Sequence, residues 1–163
     1  MTGLYQTRIG AQNHRSHRTR KFARPAGVRL ITERLREAGY FTANVRALPP
    51  DLGFNGAGKT DWNFFDNGKA FDSAKWSDLK SHQPFYAQVN LHETHRPYYR
   101  AAKNPTDPAK VKLPPYLADD PIIRADWAAY LDEVAVLDEK VGALLRLIDS
   151  EGLRANTVVF FFS

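Results

Sequence analysis

The sequence contains no cysteine among its 163 residues. Disulfides, thiolate metal sites and a cysteine nucleophile are therefore excluded within this chain. There is no apolar run of roughly eighteen residues, so no membrane-spanning helix is predicted. The first ten residues, MTGLYQTRIG, lack the basic-then-apolar layout of a secretory signal. These absences leave the cellular compartment undetermined.

The composition of the chain is that of a folded domain. Hydrophobic residues make up 43% of it and aromatic residues 12%, which favours a buried core over disorder. The net charge is +5, and much of the excess lies in HRSHRTRKFAR, residues 14–24. A solvated loop is the simplest interpretation of this block, with a nucleic-acid arm or a rim that attracts an anionic substrate as alternatives. Phe22 is its only aromatic residue, which argues against a nucleic-acid partner.

Hydrophobic periodicity predicts helices and strands in alternation. A helix is expected over residues 28–38 with Gly39 as its stop, followed by a strand over Tyr40–Val45. Residues 46–83 show neither period and predict a long loop, and Pro84–Leu91 predicts another strand.

The longest predicted helix follows a second irregular segment. Asp120 is expected to cap this helix, Pro121 suits its first turn and Gly152 ends it. Asn156–Ser163 then predicts a buried strand. The apolar stripe of the helix comprises Trp127, Tyr130, Leu131, Val134, Leu137, Val141, Leu144, Leu145 and Ile148, and its solvated face Asp132, Glu133, Asp138, Glu139 and Lys140.

Three apolar strands with helices between them predict an α/β fold, in which a largely parallel sheet carries helices on both faces. Binding sites in such sheets form beyond the carboxyl ends of the strands. A histidine pair follows the strand Pro84–Leu91, and the chain stops at Ser163 on the last predicted strand. We therefore expect an incomplete domain.

The histidine pair lies in LHETHRPYY, Leu91–Tyr99. His92 and His95 are too few for a zinc site, and the helical H-E-x-x-H motif is absent. A hydrogen-bonded polar loop is the default interpretation. Proton donation or anion contact is the third, because His95 and Arg96 together would form a cationic corner. The carboxylates available as further metal ligands, without a recognised spacing, are Asp61, Asp66 and Glu93.

A second candidate is GAGKTDWNF, Gly56–Phe64. Its glycines allow close backbone approach to a ligand, and Lys59 supplies a positive charge. The spacing is not that of a phosphate-binding P-loop. By itself, a surface turn with a solvated lysine is the favoured interpretation of the segment.

Four segments in order resemble the sulfatases of the alkaline phosphatase superfamily. TGLYQTRIGAQNHR resembles the family's LTGLYPHRxG, downstream of its C/S-x-P-x-R signature, and LREAGYFTANV is similar to the helix and strand that follow. PFYAQVNLHETHRPY resembles PFFLYxxxHxxHxP. YLDEVAVLDEKVGALLRLIDSEGLRANTVVFFFS is similar to the helix and strand before SD(H/N)G. Residues 1–163 would then be a partial sulfatase catalytic domain.

The resemblance implies hydrolysis of a sulfate ester by a formylglycine nucleophile beside a Ca²⁺ ion. By position, His95 would be the general acid and a sulfate contact, and Lys59, from the family's GKxH element, would bind sulfate. Asp61 stands where that element usually has histidine, so its contact with the substrate or the nucleophile stays open. The role of His92 also stays open, although it is included among the substrate-binding candidates.

By the same alignment the nucleophile and the Ca²⁺ ligands lie outside the chain, which holds no complete metal site. We therefore expect the 163-residue chain to be inactive. The implied partner is a sulfated small molecule or glycan, and members of the family are often periplasmic, secreted or lysosomal. A phosphonate or phosphate ester hydrolase of the same superfamily and a non-catalytic anion-binding module are the alternatives. The oligomeric state, the substrate and the sulfate position are not indicated.

Overall fold

Short strands pair in parallel in the first of the two compact units of the chain. The first unit is Met1–Leu91 and the second is His92–Ser163. A computed structural model describes residues 1–12, 22–60, 64–65, 68–98 and 103–162 of the chain. The strands are β1 Phe22–Ala23, β2 Phe41–Ala47, β3 Phe64–Phe65, β4 Ser73–Lys75 and β5 Phe85–Gln88, and the helices are α1 Ile31–Glu37 and α2 Pro121–Ser150.

The main sheet of the first unit has the strand order β4-β2-β5, with both pairings parallel. The register of β2 on β5 runs from Phe41 opposite Phe85 to Asn44 opposite Gln88. Residues 42–45 of β2 are all buried, as expected of a strand in a parallel sheet that is covered on both faces. The predicted α/β class with a parallel sheet is confirmed. Strands β1 and β3 form a separate parallel pair.

Helix α1 begins at Ile31, three residues later than its apolar pattern predicts. Glu33 accepts a hydrogen bond from the Leu30 N–H at 2.8 Å, which satisfies a backbone donor at the helix start. Leu30 itself is fully buried and packs with Ile9 and Phe64 in the core of this unit. The burial of Leu30 and the hydrogen bond to its N–H together set where the helix starts.

The prediction of one long loop over residues 46–83 is wrong in part, because β4 lies within it. This strand has only three residues, too few to show a hydrophobic period. The start of β4 is held against β2 by Asp72, whose carboxylate accepts from the N–H and the hydroxyl of Thr42 at 2.9 and 2.8 Å. Trp76 and Leu79 are buried just after it. Long-range pairing therefore creates a strand that local pattern does not indicate.

Helix α2, in the second unit, has the predicted limits. The Asp120 carboxylate accepts from the Ile122 N–H at 2.8 Å, and Pro121 occupies the first turn. The helix ends at Ser150, and Gly152 follows with a φ of 72°. No helix in the described ranges is both long and apolar enough to cross a membrane.

Two predictions about the faces of α2 are wrong. Asp132 and Glu133, expected on the solvated face, are buried, whereas Val134 of the apolar stripe is 37% exposed. The buried face also carries Ala128 and Ala129. The Asp132 Oδ1 accepts from the Thr106 N–H at 2.8 Å, whereas Oδ2 is buried without a hydrogen-bond partner among the described residues. A backbone donor on the neighbouring loop thus compensates in part for burying this carboxylate.

The predicted buried strand at Asn156–Ser163 is also wrong for its described part, residues 156–162. None of the described strands pairs with it, and its apolar side chains are exposed. Thr157 instead closes the short 3₁₀ turn Arg154–Asn156, donating its N–H to the Arg154 carbonyl. High β propensity does not form a strand without a partner for its backbone groups.

Candidate functional site

The segment Gly56–Lys59, here called the lysine loop, is held beside the carboxyl ends of β2 and β5. The Gly56 N–H donates to the carbonyl of Arg46, near the end of β2, at 3.0 Å. The Ala57 N–H donates at 2.7 Å to the carbonyl of Asn90, just past β5. Lys59 is exposed. The loop therefore carries Lys59 at the carboxyl ends of the strands, where α/β folds form their binding sites.

The glycines of the lysine loop allow this close backbone approach. A Cβ at Gly56 would overlap the carbonyl oxygen of Val45, so no other residue fits there without moving the backbone. Gly58 has a φ of 62°, a left-handed conformation that glycine adopts readily. Its carbonyl accepts from the side-chain amide of the buried Asn44 at 2.9 Å.

Residues 92–96 form a tight turn, here called the histidine turn, at the start of the second unit. The His95 N–H donates to the His92 carbonyl at 2.8 Å, and both imidazoles are exposed. Nδ1 of His95 lies 2.5 Å from the Arg96 carbonyl. A carbonyl oxygen only accepts, so Nδ1 carries a proton. Nε2 is then the ring nitrogen available to exchange a proton with a ligand.

Arg96, which would form a cationic corner with His95, has an acidic partner that offsets its positive charge. Its guanidinium donates to both oxygens of Asp126 on α2 at 2.7 and 2.5 Å. These hydrogen bonds lower the pKa of the Asp126 carboxyl. The guanidinium also lies over the Tyr98 ring, 4.5 Å from its centre. With Arg96 paired, His92 and His95 are the exposed side chains of the turn that are left to meet an anion.

Glu93 pairs with Lys140 of α2, a contact that the sequence does not indicate. The two residues lie 47 positions apart, and Lys140 was predicted to lie on a solvated face. The side chain of Glu93 is 11% exposed and that of Lys140 23%. Burial raises the pKa of Glu93, but the hydrogen bonds from Lys140 and from the Glu93 backbone, with the charges of Lys140 and His92, outweigh burial, so the pKa is lowered overall. The turn is therefore tied to α2 by a partly buried ion pair.

The other predicted site residues are distributed as follows. His92 and His95 lie together in the histidine turn, and Lys59 lies in the first unit. Asp61 and Asp66 fall outside the described residues. Where side chains are described, no three or more of His, Asp and Glu group closely enough to hold a metal ion. Ca²⁺ takes roughly six to eight oxygen ligands, so the residues that the structure describes do not by themselves form the Ca²⁺ site that the resemblance implies.

Comparison with known proteins agrees with the resemblance. The profile of the Sulfatase family matches residues 1–163. An ulvan-active sulfatase from Formosa agariphila is 28% identical over an alignment of 214 residues, which covers 99% of this chain and 33% of the relative. The chain thus spans about a third of the length of that curated relative. No solved structure matches it. Because the family profile covers the whole chain, this protein belongs to the sulfatase family.

Proposed function

We propose that this chain is part of the catalytic domain of a sulfatase that hydrolyses sulfate esters of a sulfated carbohydrate. The observation that carries the proposal is the orientation of His95, whose Nδ1 is engaged by the Arg96 carbonyl. A protonated imidazole held in this way can give its Nε2 proton to the oxygen that leaves when the ester S–O bond breaks. The leaving oxygen departs as a neutral alcohol only when it receives that proton.

Lys59 is proposed to bind the sulfate as a positive charge. Its place at the carboxyl edge of the parallel sheet supports this role. The net charge of +5 fits an anionic substrate, and the matched relative is named as an ulvan-active sulfatase. His92 and Asp61 are proposed as further substrate contacts.

The nucleophile and any Ca²⁺ ligands are proposed to be supplied by residues outside this chain. The 163 residues contain neither a cysteine nor a C/S-x-P-x-R segment. We therefore expect the purified chain to show no turnover of an aryl sulfate. Turnover that copurifies with the chain and is lost in His95→Ala would contradict this expectation.

A sulfate titration followed by NMR of the histidine side chains tests the anion site directly. Inorganic sulfate, compared with chloride at equal ionic strength, is expected to shift the imidazole signals of His95. His82 is the internal control, because it is an exposed histidine that lies outside the histidine turn. Its ring stacks on that of Phe41, with ring centres 4.3 Å apart. Equal shifts at His82 and His95, or none at His95, would refute a sulfate site at the histidine turn.

A further inference from the structure

The histidine turn is attached to α2 by two ion pairs that differ in burial. Arg96 and Asp126 form an exposed pair, with side chains 63% and 40% exposed. Glu93 and Lys140 form a partly buried one. Exposed pairs are screened by water and contribute little, whereas partly buried pairs are screened less. The Glu93–Lys140 pair is therefore the stronger restraint on the turn.

We propose that Glu93 and Lys140 are positioning residues that hold the His95 imidazole in the orientation needed to meet a sulfate. This inference rests on the proposed function for the identity of the ligand. Neither residue is given a contact with the substrate. Their effect passes through the backbone of the turn, on which Glu93 lies two residues before His95.

The burial of Glu93 gives the pair its effect. The second carboxylate oxygen, Oε2, is buried and has no hydrogen-bond partner among the described residues. Lys140 therefore supplies much of the compensation for a carboxylate that has left water. Without that charge the carboxylate would be stranded, a costly state that is relieved when the side chain moves to solvent.

Movement of Glu93 would disturb both hydrogen bonds that orient His95. One joins the His95 N–H to the His92 carbonyl across the turn, and the other joins Nδ1 to the Arg96 carbonyl. Both acceptors are backbone groups of the same five-residue segment. A released turn would leave the imidazole free to rotate, and a site that must be preorganised would lose affinity for its anion.

The test compares Lys140→Met with a matched control, Lys103→Met. Lys103 also pairs with a glutamate of α2, Glu139, but both side chains are largely exposed. Amide hydrogen exchange of the His95 N–H reports the turn, and the sulfate-induced shift of the His95 imidazole reports its orientation. In Lys140→Met the exchange is expected to be at least about tenfold faster, the scale of a lost charge-assisted hydrogen bond. The imidazole response to sulfate is expected to weaken too.

Lys103→Met is expected to leave both measurements at the wild-type value. Lys140→Arg keeps the positive charge, so its exchange rate and its imidazole response to sulfate are expected to lie close to those of the wild type. If Lys140→Met does not fold, Glu93→Gln replaces it, because an amide puts no unpaired carboxylate in the buried position. Faster exchange is again expected, since the charge-assisted hydrogen bond to Lys140 is lost. Wild-type exchange in both Lys140→Met and Glu93→Gln would overturn the inference, as would an intact sulfate response in both. A wild-type chain that ignores sulfate would instead refute the proposed function, and the exchange comparison would still decide whether the pair holds the turn.

Discussion

Glu33, in the first turn of α1, binds Arg24, the residue that follows β1. Its carboxylate accepts hydrogen bonds from both terminal nitrogens of Arg24, at 2.7 and 2.6 Å, and from the Leu30 N–H. The Arg24 guanidinium lowers the pKa of this carboxyl from 4.5 to about 2, partial burial opposes the change, and the Leu30 N–H adds to it. Arg24, the last residue of the basic block, is therefore compensated by Glu33.

This shift predicts a pH-dependent contribution to stability. Because the pKa of Glu33 is lower in the folded state, its contribution is complete above pH 4.5 and is lost as the pH falls towards 2. Glu33→Gln is expected to lower the free energy of unfolding by about 1 kcal/mol at neutral pH, allowing for solvent screening of a part-exposed pair. Urea unfolding of both proteins should show the difference shrinking below pH 4.5. A difference that does not vary with pH would contradict this.

The candidate site was predicted from the sequence only where residue type and motif position carry the chemistry. Lys59 and His95 are the residues predicted in this way. The pairing of Arg96 with Asp126 and the pairing of Glu93 with Lys140 were not predicted, because each joins the turn to a helix far along the chain. A single sequence contains no record of such pairings. The sequence therefore predicts candidate residues but not the ion pairs that hold them to the helix.

At the scale of elements, helix α2 uses an acidic residue as an anchor. Asp132 is 1% exposed, and it accepts from the Thr106 N–H of the segment that precedes the helix. Ala128 and Ala129, one turn earlier on the helix, are buried as well. The helix therefore fixes an irregular segment through a polar contact on its buried face.

Asp132→Ala is expected to destabilise the protein by about 1–3 kcal/mol, because the Thr106 N–H loses its acceptor in a buried setting. Asp132→Asn retains an oxygen acceptor and is expected to keep most of the stability. Asp138→Ala, at an exposed position of the same helix, should change the free energy of unfolding by no more than roughly 0.5 kcal/mol. Thermal and urea unfolding measure all three. Equal losses for Asp132→Ala and Asp138→Ala would show that Asp132 anchors nothing.

Elements were predictable to the extent that local signals determine them. The cap at Asp120, the proline after it and a long apolar stripe located α2, and apolar runs located β2 and β5. The three residues of β4 become a strand only through pairing with β2. Residues 156–162 show the converse, since they have strand-forming residues but no described partner strand. Strand formation depends on neighbours that are distant in sequence.

At the scale of the whole molecule, the exposed apolar segment Thr157–Phe162 stands out. Val158, Phe160 and Phe162 are 79%, 81% and 86% exposed. The segment contains no charged residue, proline or glycine. Short segments with high β propensity and no charge pair readily with copies of themselves when their backbone groups are open. The surface of the 163-residue chain therefore favours association between copies.

We expect the chain to associate in a concentration-dependent manner, measured by sedimentation velocity over a dilution series. The triple variant Val158→Ser, Phe160→Ser, Phe162→Ser should shift the distribution towards monomer. It removes the three most exposed apolar side chains of the segment, and with them the apolar surface through which copies would associate. Tyr116→Ser is the control, since Tyr116 is equally exposed at 79% but lies outside the segment; it should leave association unchanged. A wild-type chain that is monomeric at every concentration would refute the prediction, and so would a triple variant that associates as strongly as wild type. Reduced association in the triple variant alone would assign the contact to Thr157–Phe162.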